Sequence, residues 1–149
     1  MADTKKSFQG DDLIQNLENV FKGAPNLPAN IREILVKIAP WIAIIFGVLG
    51  IFAGLGILGL SPAGLIGGVG NGATLLISGV LTIVSSVLMV MAFPKLNRRE
   101  YAGWRLLFWS EVVSFIGSLL SFSVGSIIWG IIGAAIGFYL LFQIKSYYK

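Results

Sequence analysis

Residues 106–115 read LLFWSEVVSF, and Glu111 in that run is the one acidic residue outside the polar segments of the chain. An ionised carboxylate at the centre of a membrane helix costs about 3 kcal/mol on insertion scales, so it must face protein or water. Two chemistries fit it. A carboxyl that exchanges its proton can couple proton or cation movement to transport. A neutral one can hydrogen-bond to hydroxyls and fix helix register. The hydroxyls at matching depth are Ser114 and Ser118, one and two turns along the same face, with Ser85 and Ser86 on the preceding apolar run and Tyr139 on the following one. Contact with a partner subunit is a third use. No other reactive constellation is visible. The chain has no cysteine and no histidine, which removes thiol nucleophiles, disulfides, zinc-type sites and imidazole acid–base chemistry. No nucleophile and base stand at catalytic spacing. The expectation is a protein that is not an enzyme and carries no metal and no cofactor.

The elements that must position Glu111 follow from composition. Of 149 residues, 56% are hydrophobic and only 12% charged, where a soluble domain would have about a quarter charged. Four apolar runs, at about 30–58, 73–93, 98–122 and 126–146, each approach the roughly 20 residues that cross a bilayer as a helix. The eleven Lys and Arg residues fall in three places: before and at the start of the first run, between the second and third with the start of the third, and at the C-terminus. The two other connections, 59–72 and 123–125, carry no charge. By the positive-inside rule both termini should be cytoplasmic. Net charge +4 then reads as topology and attraction to anionic lipid, with no nucleic-acid surface. The fold class expected is all-α and integral to the membrane: a four-transmembrane-helix bundle behind a cytoplasmic segment, 1–29. The lipid bilayer is the expected partner, with a homo-oligomer or membrane-protein complex beside it.

Small residues mark how the helices should meet. Sliding the first run by 67 positions lays Asn30, Arg32 and Glu33 on Asn97, Arg99 and Glu100, and Ala43, Gly47, Gly50 and Gly54 on Ser110, Ser114, Gly117 and Ser121. The fourth run repeats the four–three–four spacing at Ser126, Gly130, Gly133 and Gly137, and a slide of 51 sets the last three on Gly79, Thr82 and Ser86. Small residues let membrane helices approach closely, and a spacing averaging 3.5 suits a left-handed pair. Two duplicated hairpins forming a tight bundle with little void are expected.

The polar segment holds one helical pattern. Leu13, Ile14, Leu17, Val20 and Phe21 line one face of an amphipathic helix over 11–22. Its opposite face is mostly acidic, with Asp11, Asp12 and Glu18 against Lys22, whereas helices held on lipid carry Lys and Arg there. The apolar face must therefore dock on the membrane surface, the bundle or a partner. Asn30 with Glu33, and Asn97 with Glu100, have the spacing of reciprocal helix caps. Pro40 predicts a kink. The glycine-rich stretch 59–72 is expected to be an outer loop dipping into the interface, with one helical turn at Ser61–Pro62. Trp41, Tyr101, Trp104, Tyr147, Tyr148 and Trp129 read as boundary anchors.

The stretches ILVKIAPW (34–41), GWRLLFWSE (103–111) and GFYLLFQIKSYYK (137–149) resemble segments of small four-span bacterial membrane proteins. The resemblance implies a bacterial inner-membrane location and carries no activity with it. The small multidrug-resistance exporters also have four spans and one membrane glutamate. Theirs lies on the first span rather than the third, and that family is not assigned. The function expected is structural or accessory, through helix seams that bind partners or further copies; the alternative is a small proton-coupled transporter using Glu111.

Overall fold

The computed structural model describes residues 9–67, 69–121 and 123–149. Every regular element among them is helical: α1 Gln9–Phe21, α2 Ala29–Gly67, α3 Val69–Asn97, α4 Tyr101–Leu120 and α5 Val124–Ile144, then one 3₁₀ turn, Lys145–Tyr147. Three helices are long and apolar enough to cross a membrane: α2 over Ala29–Leu60, α3 over Gly72–Asn97, and α5 with its terminal turn, Val124–Tyr147. The third apolar run of the sequence, α4, is not among them. It has 20 residues, but Arg105, Glu111 and its serines dilute its apolar character. Phe46, Leu49 and Phe52 on α2 and Ile128, Ile131 and Ile136 on α5 stand exposed. Faces of this size are a liability in water and match hydrocarbon.

The helices pack in chain order, α2 on α3, α3 on α4 and α4 on α5, with only a light contact between α2 and α5. The α2–α3 seam is as tight as the small-residue spacing predicts. A Cβ at Gly47 would lie 3.0 Å from the Ser86 carbonyl oxygen, and one at Gly54 would lie 3.1 Å from that of Gly79. A Cβ at Gly50 would collide with the Ser86 hydroxyl. Ala43 is fully buried. Thr82 sends its hydroxyl to the Ser78 carbonyl.

The second hairpin does not repeat that geometry. Gly117 of α4 turns toward Leu81 of α3, with room for a Cβ at 3.7 Å. On α5, Gly130 meets Ser118 and Gly137 meets Glu111, while Gly133 meets nothing within 4 Å. Gly117 of the α4 stripe thus serves α3, and α5 rests on a neighbouring face that carries Glu111 and Ser118. Grooves remain where a uniformly tight bundle was expected.

Three further expectations are corrected. The stretch 59–72 is not a loop: α2 continues through Ser61 and Pro62 to Gly67, and α3 begins at Val69. At 39 residues, α2 is about 58 Å long at 1.5 Å per residue. Asn30 does not cap α2, because the Pro28 carbonyl already accepts the first bonds, from the Ile31 and Arg32 N–H groups. Asn97 does not cap α4 either; it ends α3. Arg99 adopts a left-handed conformation (φ 54°), the Glu100 N–H donates to the Lys95 carbonyl and the Arg99 N–H to that of Leu96. That is a Schellman stop, normally built on glycine.

The C-terminal residues secure this turn. The Lys149 N–H donates to the Arg99 carbonyl, and the Tyr101 N–H, first in α4, donates to the Lys149 carbonyl. Glu100 makes no side-chain cap, so the tail's main chain does that work. Trp104 and Tyr148, read as boundary anchors, are core residues at 0% and 5% exposure. The Tyr148 hydroxyl is buried without a partner among the described residues. Burial pushes its pKa up to about 12 against the opposing charge of Arg99, so it stays neutral at ordinary pH.

Candidate functional site

Glu111 lies midway along α4, and its carboxyl rests on the bare backbone of Gly137 in α5. A Cβ there would sit 2.5 Å from Oε1 and 2.7 Å from Cδ. Glycine at 137 is therefore what gives the carboxyl its place between the two helices. Among the described residues, no hydrogen bond or ion pair reaches it.

The carboxyl borders two openings. One, about 170 Å³, is apolar and lies among α2, α3, α4 and α5, lined by Leu35, Ala39, Met89 and Leu141 beside Glu111 and Ser110. The other, about 390 Å³, runs along the α4–α5 groove past Ser114, Phe115, Ser118, Ser126, Trp129 and Gly133. A third groove, about 250 Å³, lies between α3 and α4 and is rich in hydroxyls: Ser78, Thr82, Ser85, Ser114, Ser118, Ser121 and Ser126. Ser114, Ser118 and Ser126 are shared by the last two grooves.

Of the residues expected around Glu111, only Ser114 and Ser118 are brought to its groove. Ser85 faces the hydroxyl groove and donates to the Thr82 carbonyl. Ser86 also donates to Thr82 and belongs to the α2–α3 seam. Most of these hydroxyls are spent on carbonyls three or four residues back, the default for Ser and Thr inside a helix. Ser110 does the same toward Leu107 and Ser121 toward Ser118. Tyr139 is elsewhere altogether, donating to the Pro25 carbonyl at 2.6 Å.

That last contact belongs to a second polar assembly, which the sequence pattern did not expose. Gln143 of α5 accepts from the Leu27 N–H at 3.1 Å and donates to the Pro25 carbonyl at 3.3 Å. Together with Tyr139 it straps the 25–27 linker to α5. The linker in turn holds α1 in place. Ile14 is 2% exposed, and Leu17 and Phe21 pack on the core, with Phe21 against the Phe142 ring at 5.8 Å. Leu13 and Val20 of the expected docking face stay exposed, Val20 at 73%. The acidic face finds its cations within the chain: Glu18 pairs with Lys145 at 2.5 Å and Asp11 with Arg105 at 3.8 Å. The unusual charge of α1 is thus complementary to α4 and α5. The signal was available in the pairing of an acidic helix with basic residues beside the apolar runs.

No group of three or more acidic, histidine or cysteine residues that could hold a metal ion occurs among the described residues. Fold and site together define, among the described residues, an all-helical chain with three helices long and apolar enough to cross a membrane and a carboxyl lodged between α4 and α5. Comparison with protein-family models, curated proteins and solved structures found no match.

Proposed function

We propose that the chain is a small four-span protein of a bacterial inner membrane, with both termini cytoplasmic, and that it acts as a structural or accessory component by associating with copies of itself or another membrane protein. As a fourth span α4 has sufficient length, since 20 residues rise about 30 Å. Its polar Ser110 and Glu111 lie against neighbouring helices. The observation that carries the association is the unfilled place at Gly133. The α5 stripe is mated to α4 at Gly130 and Gly137, while at Gly133 an added Cβ would meet nothing within 4 Å. Close approach of small residues is what drives helix pairing in lipid. Gly133→Leu is expected to weaken association at least about tenfold, measured by subunit counting in vesicles and by capture of partners from solubilised membranes. Gly56→Leu, at an open glycine on α2 that lies outside the small-residue stripe, should leave association unchanged. A wild-type chain that is monomeric in vesicles and captures no partner sinks the proposal.

One observation favours a second reading, a small proton-coupled transporter. The Glu111 carboxyl has no partner among the described residues and borders openings on two sides. In proteoliposomes carrying a pH-sensitive dye, Glu111→Gln is then expected to abolish proton flux that the wild type supports. A wild type without flux excludes this reading.

A further inference from the structure

A polar pocket of about 300 Å³ lies at the end of the molecule where α1 and the linker meet the first turns of α2 and the last turn of α5. Phe21 and Phe142 form its apolar wall, and Lys22, Asn26, Arg32 and Ser146 present polar groups to it. The one acid in the lining, Glu18, is taken by Lys145. Lys22 and Arg32 have no acidic partner among the described residues, so two cationic charges stand uncompensated around one opening. Arg32 is also half-buried, and its Nε is shut off from solvent with no acceptor. A buried donor left unpaired is costly, the more so on a charged group. An acceptor is missing here, and none of the described residues supplies one.

The missing acceptor must be anionic and able to take several donors at once. A guanidinium is a planar fork that matches phosphate oxygens two at a time, and an ammonium adds a point charge. The pocket also sits where the first and last apolar helices begin and end, beside the helix α1 to which Arg105 and Lys145 are paired. Basic pockets between helices on the cytoplasmic side recognise phospholipid head groups. We infer that this pocket binds a phosphate group, held by Arg32 and Lys22, of the kind an anionic phospholipid presents at the membrane surface. The lipid source rests on the membrane-spanning reading above; the phosphate chemistry does not.

The test uses the full chain in mild detergent, with bound adducts weighed by native mass spectrometry. The probes are phosphatidylglycerol and inorganic phosphate. Wild type is expected to retain phosphatidylglycerol, with retention falling about tenfold in Arg32→Gln and by a smaller factor in Lys22→Gln. Lys22 is exposed, so its substitution leaves the fold intact and keeps the test decisive should Arg32→Gln fold poorly. Lys37→Gln, at an exposed residue paired with Glu33, should change nothing. Displacement of the lipid by millimolar inorganic phosphate would assign the site to a soluble anion. Resistance to displacement would assign it to the head group. Phosphatidylglycerol and phosphate retained equally by wild type, Arg32→Gln and Lys22→Gln would overturn the inference.

Discussion

Replacing Trp104 with alanine is expected to lower the stability of the chain by about 3–5 kcal/mol, the range for emptying a buried aromatic site. The indole is fully buried. It stacks on Tyr101 and Phe108, at 5.4 and 5.6 Å between ring centroids, and meets Phe142 at 5.8 Å. Its N–H donates to the Leu141 carbonyl at 2.7 Å, in the last turn of α5. The Lys145 ammonium lies 5.6 Å from the ring centroid and also holds Glu18 of α1. The loss should therefore propagate. Denaturant titration in mild detergent would read the stability, and amide exchange over residues 9–21 would read the loosening of α1. Trp104→Phe keeps a ring and loses the N–H, for a further comparison near 1 kcal/mol. A drop below about 1 kcal/mol for the alanine variant would show that this aromatic cluster does not anchor the fold.

Gly103→Ala should be the second most damaging change, although helix propensity alone would favour alanine by about 1 kcal/mol. A Cβ at 103 would lie 2.7 Å from the Leu96 nitrogen and 2.9 Å from the Lys95 carbonyl carbon. Both are backbone atoms, and both belong to the turn that ends α3. Nothing there can swing aside as a side-chain tip would, so α3 and α4 must separate. Overpacking of this kind costs about 1–3 kcal/mol and occasionally more. Gly117→Ala on the same helix gives the opposite sign. Its Cβ would find ordinary contact with Leu81 at 3.7 Å, and a gain of roughly 0.5–1 kcal/mol is expected. Thermal unfolding of the two variants side by side separates close backbone approach from helix propensity. A stabilised Gly103→Ala would mean that the α3–α4 crossing is looser than described.

How much of this was legible in the sequence depends on which contacts are local. The apolar runs and the face Ile14, Leu17 and Phe21 were readable, because periodicity and charge act along one helix. The α2–α3 seam was readable as well, since small residues spaced four and three apart define a stripe before a partner is known. Which face of α4 meets which neighbour was not, and Gly117 and Ser121 turned toward α3 rather than α5. Capping failed for a related reason. An Asn with a Glu three residues on has the spacing of a cap, but the Pro28 carbonyl and the left-handed Arg99 satisfied those backbone groups first. The partners assigned to Glu111 by depth failed because Ser85 and Ser86 bond within their own helix and Tyr139 reaches the linker. Depth along a helix fixes level and says nothing of azimuth. The close approach at Gly103 and the strap made by Gln143 were missed, having no pattern of their own. Their roles exist only once α3 meets α4 and the linker meets α5.

The strap between the linker and α5 has a consequence for biosynthesis. Leu27 and Gln143 are 116 residues apart, and Glu18 waits for Lys145 across 127. At about 5–20 residues per second, the ribosome needs on the order of ten seconds between making α1 and making its seat. During that time the helix leaves the exit tunnel with Ile14, Leu17 and Phe21 uncovered. A nascent chain arrested anywhere before residue 139 would leave this apolar and acidic surface uncovered. Once α5 is in place the surface is covered, so the state of α1 reports whether α5 has been synthesised.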